Sequence, residues 1–313
     1  MKIKGLDFLR VYAIFLVLGY HYFPTVLPGG FLGVSILFVM SGFLISYHLI
    51  DELFETRKID YRKFYTKRFL RIFPALLLML FLSSLFLPSL DNDYSVGFFD
   101  QFLAAFTFNY NFFEILRGGS YEGQFIRGIF MHTWSLALEI HFYLIWPWVM
   151  GFIYKKAKQK RAIKRRFSDL FLQTTFYLAI ISFILMVILT IIKRVDTGFV
   201  YFFDLTRMGS FMLGSFLASF VKRFSFKKIP YNKPTIIGVG LIFIMALTMT
   251  YDSKLTYFLG FLLTDLITGF LILVGFANPH LLEDKIINKL SSYSYGFYIF
   301  HWPVWIITVS YTH

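Results

Sequence analysis

Arg10 and His21 are separated by ten residues in one largely apolar run, LDFLRVYAIFLVLGYHYF. On a helix, eleven steps of about 100° return to within about 20° of the same face, about 16–17 Å further along the axis. That face carries a guanidinium near one end and an imidazole deeper in. Imidazole titrates near neutrality and can take up and return a proton, which makes His21 a candidate general base. Arg10 alone could snorkel to the headgroups, but His21 lies too far inside the run to do so. A histidine bonded to a backbone carbonyl is the structural alternative for His21. Arg68 and Arg71, within YRKFYTKRFLRIFPALL, fall about 60° apart on a helix and can grip one anion. Paired guanidinium contacts suit phosphate, although basic residues at a helix end are also ordinary topology.

The stretch HTWSLALEIHFYLIWPWVM sets His132, Ser135, Glu139 and Tyr143 at intervals of three, four and four. They form one polar stripe on an apolar helix. A carboxylate inside such a helix, as at Glu139, needs a partner or a hydrated cavity. His141 points to a different face and is given no chemistry, and Trp146 and Trp148 read as an interfacial belt. Asp204 and Arg207, at i and i+3, can neutralise one another within a span. Gly209, Gly214, Ser215 and Ala218 read as close helix packing. Further on, Ser294, Tyr298 and His301 recur at four- and three-residue spacing, with His301 in mid-span.

These residues must be positioned by membrane helices. Of 313 residues, 57% are apolar, 21% aromatic and 16% charged, and the mean hydropathy is +0.64. Soluble domains hold about 45–50% apolar and about 25% charged residues. A soluble enzyme, a secreted disulfide scaffold and a nucleic-acid-binding domain are thereby excluded, despite a net charge of +13. The absence of cysteine removes disulfides, a thiol nucleophile and Cys-based metal sites; no metal is expected. Continuous apolar runs, without alternation, exclude a transmembrane β-barrel. The first segment has no small-residue cleavage pattern and reads as a retained span.

Candidate spans are 6–27, 31–50, 72–90, 132–153, 169–192, 200–221, 235–251, 256–277 and 294–312. Segment 98–116 is interrupted by Asp100, Gln101, Asn109, Asn111 and Glu114, and is expected to be re-entrant or to lie at the outer surface. Then 24 of the 31 Lys and Arg residues fall on one side, in the N-terminus and in linkers 51–71, 154–166, 222–234 and 277–290. The positive-inside bias makes that side cytoplasmic. Arg117, Arg127, Lys193, Arg194 and Lys254 face outward. The expectation is an all-α, polytopic transmembrane bundle of about nine spans in the cell membrane, with a cytoplasmic N-terminus and one domain over 1–313.

Five ordered pieces, LDFLR…YH, PGGFLGVSILFVMSGFLI, KRFLRIFPAL, HTWSLALEIHFYLIWP and SYGFYIFHWPV, resemble the acyltransferase-3 family of integral-membrane O-acyltransferases. The family's Arg–ten residues–His pattern matches Arg10 and His21, and its Arg-x-x-Arg matches Arg68 and Arg71. Its Trp-Ser-Leu-x-x-Glu matches Trp134, Ser135 and Glu139, and its Tyr-x-x-His-Trp-Pro matches Tyr298, His301, Trp302 and Pro303. The resemblance implies a bacterial enzyme that moves an acyl group, commonly acetyl from acetyl-CoA, from the cytoplasmic side to a hydroxyl of an envelope glycan or lipid-linked sugar. On that reading Arg68, Arg71 and Arg10 hold the acyl-CoA and His21 is the base. Glu139 orients the imidazole, and Tyr298, Ser135 or His301 stabilises the oxyanion. Covalent relay through an acyl-histidine is the alternative course.

The chain departs from the family in carrying Ser35 where many members have an acidic residue, and His141 where a Gln is common. It also ends ten residues beyond Pro303, so the family's usual tenth span and an SGNH-type esterase domain are expected to be lacking. A polysaccharide-precursor transporter or flippase is the competing function, since charged and histidine residues also suit a substrate path. An inactive, truncated member is a third.

Overall fold

The computed structural model describes residues 6–89, 97–117, 128–158, 162–192, 196–224, 232–278 and 284–310. Among these residues the regular elements are all helical: α1 (Asp7–Tyr22), α2 (Gly33–Thr56), α3 (Tyr61–Phe86), α4 (Phe98–Phe106), α5 (Tyr110–Arg117), α6 (Trp134–Lys158), α7 (Ile163–Ile191), α8 (Thr197–Phe202), α9 (Asp204–Arg223), α10 (Asn232–Thr248), α11 (Phe261–Ala277) and α12 (Lys285–Ser310). The all-α expectation holds. Gly30–Thr56, Tyr61–Phe86, Met131–Lys158, Ile163–Ile191 and Thr256–Ala277 are long and apolar enough to cross a membrane. Arg127, Lys193 and Arg194 lie outside the described residues.

Several expected boundaries move. The helix expected from residue 72 starts at Tyr61, where the Asp60 carboxylate accepts from the Lys63 N–H at 3.0 Å and caps the first turn. Arg68 and Arg71 therefore sit two to three turns inside α3 and not at its mouth. Segment 98–116 is two helices of nine and eight residues, broken where Phe108 adopts a φ of 56°. At about 1.5 Å per residue neither spans about 30 Å of hydrocarbon. Segment 200–221 is not one helix either: Phe203 is extended, with ψ 128°, between α8 and α9.

The chain forms two compact units interleaved in sequence. One comprises Met1–Ile59, Phe142–Ile192 and Leu205–Ser294; the other comprises Asp60–His141, Lys193–Asp204 and Tyr295–His313. In the first unit α2 is central, with 83% of its apolar window buried. Its closeness to α9 requires glycine on both sides. A Cβ on Gly42 would collide with the Phe211 carbonyl, and one on Gly214 with the Val39 carbonyl. The packing expected of Gly214 is thus realised. Ser46 Oγ donates to Ser215 Oγ at 2.8 Å, and Trp146 Nε1 donates to Ser46 Oγ at 2.7 Å. Trp146 is consequently a core anchor and not a belt residue, because its indole N–H finds a partner inside the unit; Trp148 stays exposed.

On α7, Tyr177, Ile181, Ile184, Ile188 and Ile191 are exposed at four- and three-residue spacing. A bare apolar stripe of that kind suits hydrocarbon and not water. Arg223 pairs with Asp169 and Lys222 with Asp51. These pairs gather the last turns of α2 and α9 and the first turns of α7 at one end of the unit.

In the second unit, Tyr295 donates to the Ile72 carbonyl at 2.9 Å and ties α12 to α3. Trp302 Nε1 donates to the Gly128 carbonyl at 2.9 Å. Trp134 is buried, its ring 4.6 Å from that of Tyr201 and 5.3 Å from that of Phe202. Both motif tryptophans are therefore walls that hold α6, α8 and α12 in place.

Candidate active site

In the first unit, Arg10 and His21 both lie on α1 and both belong to one continuous helix, as their spacing requires. His21 is buried in the last turn of α1, which ends at Tyr22, instead of lying in mid-helix. A proton taken up there meets the negative end of the helix dipole. The neighbouring Tyr20 ring is 5.2 Å from the imidazole. Arg10 Nη1 lies 3.5 Å from Asp7 Oδ1 and donates to Ser291 Oγ at 3.1 Å, while Ser291 donates to Asp7. That triad pins the start of α1 to the start of α12.

The second unit holds a compact polar cluster. Ser135, Tyr298, His132 and His301 are all buried. The Ser135 and Tyr298 hydroxyls are hydrogen-bonded to each other, and Tyr298 also donates to the His132 carbonyl at 3.2 Å. His301 Nδ1 donates to the Tyr298 carbonyl at 2.5 Å, and the His132 and His301 rings are 5.5 Å apart. Ser135, from one motif, and Tyr298 and His301, from another, are thus brought together. His132 joins them, but from a 3-10 turn (Met131–Thr133) ahead of α6 and not from the helix itself. The sequence marks it only as the first member of a polar stripe. Its Nε2–H donates to the Ile299 carbonyl at 2.9 Å, and its Nδ1 is buried with no hydrogen-bond partner among the described residues.

The rest of the stripe divides. Half-buried Glu139 stays in the second unit, whereas Tyr143 belongs to the first, 2.8 Å from Ser41 Oγ. Asp204 accepts from His141 Nδ1 at 2.7 Å and from Asn111 Nδ2 at 2.8 Å. His141, to which the sequence assigned nothing, is therefore the partner of a carboxylate. Arg207 is fully buried in the first unit, donating to Ser35 Oγ at 2.7 Å and lying 3.9 Å from the Phe261 ring centroid. Ser35 is thus a direct partner of a buried guanidinium. Asp265, which accepts from Ser210 at 2.6 Å, lies in the field of the same arginine.

Arg68 and Arg71 stand on α3 in the second unit, Arg68 5.7 Å from the centre of the Phe64 ring. Nearby in sequence but off the spans, Tyr110 donates to Gln101 at 3.1 Å. Burial raises its pKa well above the usual phenol value, with the Glu114 charge adding to this and Arg117 opposing it. Among the described residues no group of three or more His, Asp or Glu is arranged to hold a metal.

A family model described as an acyltransferase domain matches residues 3–312. The chain belongs to the acyltransferase-3 family. It is similar to the O-acetyltransferase OatA of Staphylococcus aureus, at 30% identity over 322 residues covering 99% of this chain and 51% of that protein. It is 29% identical over 323 residues to a putative O-acetyltransferase of the same species, again covering 51% of the relative. The chain thus spans about half the length of these curated relatives. No solved structure matches it.

Proposed function

We propose that this chain is an O-acetyltransferase of the bacterial cytoplasmic membrane, with acetyl-CoA as its cytoplasmic donor and a hydroxyl of an envelope glycan or glycolipid as its acceptor. The reading takes the whole chain as one functional domain of about nine spans, N-terminus inside. The observation that carries it is Arg10 and His21 on one helix, in a chain matched almost end to end by the acyltransferase family model. His21 takes the proton of the acceptor hydroxyl. The hydroxyl oxygen attacks the thioester carbonyl, and the C–S bond breaks. The CoA thiolate leaves with the proton returned by His21. Ser135, Tyr298 or His301 donates to the oxyanion. The half-buried carboxylate of Glu139 balances charge during the transfer. Arg68, Arg71 and Arg10 are the cations that attract the anionic donor.

The test uses the purified protein in nanodiscs with labelled acetyl-CoA and isolated envelope glycan. His21→Ala should lower transfer by about 10²–10⁴-fold, the usual contribution of a positioned base. Transfer equal to wild type in that variant would remove His21 from the mechanism. Glycan acetyl content that is the same with and without the chain would remove the acceptor assignment.

A further inference from the structure

The end of the first unit where α2, α7 and α9 converge contains a cavity of about 530 Å³. That falls within the about 300–1,000 Å³ typical of small-molecule sites. Its lining includes Lys164, Arg165, Lys222 and Arg223 against a single carboxylate, Asp51. Lys222 pairs with Asp51 and Arg223 with Asp169, so two of the four cations are fixed in place on the walls. Lys164 and Arg165 are exposed in the first turn of α7. That helix starts after Ala162, in the left-handed region at φ 60°, with no side chain capping its first N–H groups. An uncapped helix start adds positive potential and hydrogen-bond donors to the same place. Phe54 and Phe167 supply apolar walls, their rings 5.4 Å apart edge to face. At the back, the Ser168 and Ser219 hydroxyls lie 3.2 Å from each other.

We infer that this cleft, whose lining does not include Arg68 or Arg71, is a binding site for a phosphate-bearing group. Excess positive charge, helix-start donors, serine hydroxyls and an aromatic wall match a phosphate that carries an apolar or planar appendage. Two sources have that chemistry: the nucleotide end of coenzyme A and the headgroup of an anionic phospholipid. The first rests on the acetyl-CoA reading above; the second does not.

The experiment compares wild type with the double variant Lys164→Gln/Arg165→Gln in two arms. In nanodiscs of phosphatidylcholine alone, coenzyme A is titrated calorimetrically. In nanodiscs containing phosphatidylglycerol, retention of that lipid is read by native mass spectrometry. A tenfold or greater loss of coenzyme A affinity assigns the nucleotide, and loss of retained phosphatidylglycerol assigns the lipid. Wild-type binding should weaken as salt is raised, narrowing its gap to the variant, since the cleft is open to screening. Unchanged affinity together with unchanged retention overturns the site. If the double variant is not monodisperse, Arg165→Gln alone repeats both arms under the same criteria. If wild type transfers no acetyl group yet the variant loses the anion, the function falls and the cleft stands.

Discussion

His132 donates its Nε2–H to the backbone carbonyl of Ile299, 2.9 Å away on α12. In a regular helix that carbonyl would accept from the residue four positions on. Here that residue is Pro303, which has no N–H. The proline of the His-Trp-Pro motif thus releases one carbonyl, and the histidine of a different motif takes it. The bond also decides the tautomer of a neutral ring: Nε2 carries the proton and Nδ1 keeps a lone pair.

Pro303→Ala should return the Ile299 carbonyl to the helix ladder, where a backbone N–H shares it with His132 and loosens that anchor. Removing a proline from a helix interior relieves about 3 kcal/mol of helix penalty, so thermal stability should hold or rise. Acetyl transfer should fall about tenfold or more. A variant as active as wild type would show that the orientation of His132 is immaterial to catalysis.

Ser135→Ala and Tyr298→Phe each remove one end of a buried hydroxyl pair. Because they share a hydrogen bond, the double variant should be less damaged than the two single losses added together, with a coupling of about 0.5–3 kcal/mol. Chemical denaturation gives the stability cycle and transfer rates give the catalytic one. Strict additivity in both would mean that the pair does not act as a unit.

Gly42→Val and Gly214→Val both drive a side chain into a carbonyl oxygen of the facing helix. Backbone cannot yield as a side-chain tip can, so each should cost at least the about 1–3 kcal/mol of ordinary overpacking. The readout is the melting temperature in detergent. Gly240→Ala, at a position where an added Cβ meets nothing within 4 Å, serves as the control and should change little.

Arg207→Met removes a fully buried guanidinium and leaves the Asp265 carboxylate in the same interior. Losing the guanidinium removes its bond to Ser35, worth about 1.5–3 kcal/mol for a charged donor. Adding Asp265→Asn should recover part of the total loss, because the carboxyl no longer depends on the field of Arg207. A double variant no better than the single one would show that Asp265 and Arg207 are not energetically linked.

The sequence by itself determined the material: an all-helical membrane protein, the family to which it belongs, and the positions of Arg10, His21, Ser135, Tyr298 and His301. The helices and the residue spacings follow from composition and from periodicity along single helices, which are local properties; the family rests on the resemblance of five ordered motifs. It also anticipated glycine-mediated packing at Gly214. Helix ends were less legible: capping by Asp60 and the turn at Phe108 shift boundaries that hydropathy alone draws smoothly. Tertiary structure alone decided the partners. Asp204 meets His141 and Asn111, although Arg207 is three residues away in sequence. Arg207 meets Ser35, Trp146 turns inward to Ser46, and His132 takes the carbonyl that Pro303 leaves open. The physical reason is common to all of these. A buried polar group must be satisfied, but which donor or acceptor reaches it depends on how separate helices pack, and neither spacing nor hydropathy encodes that.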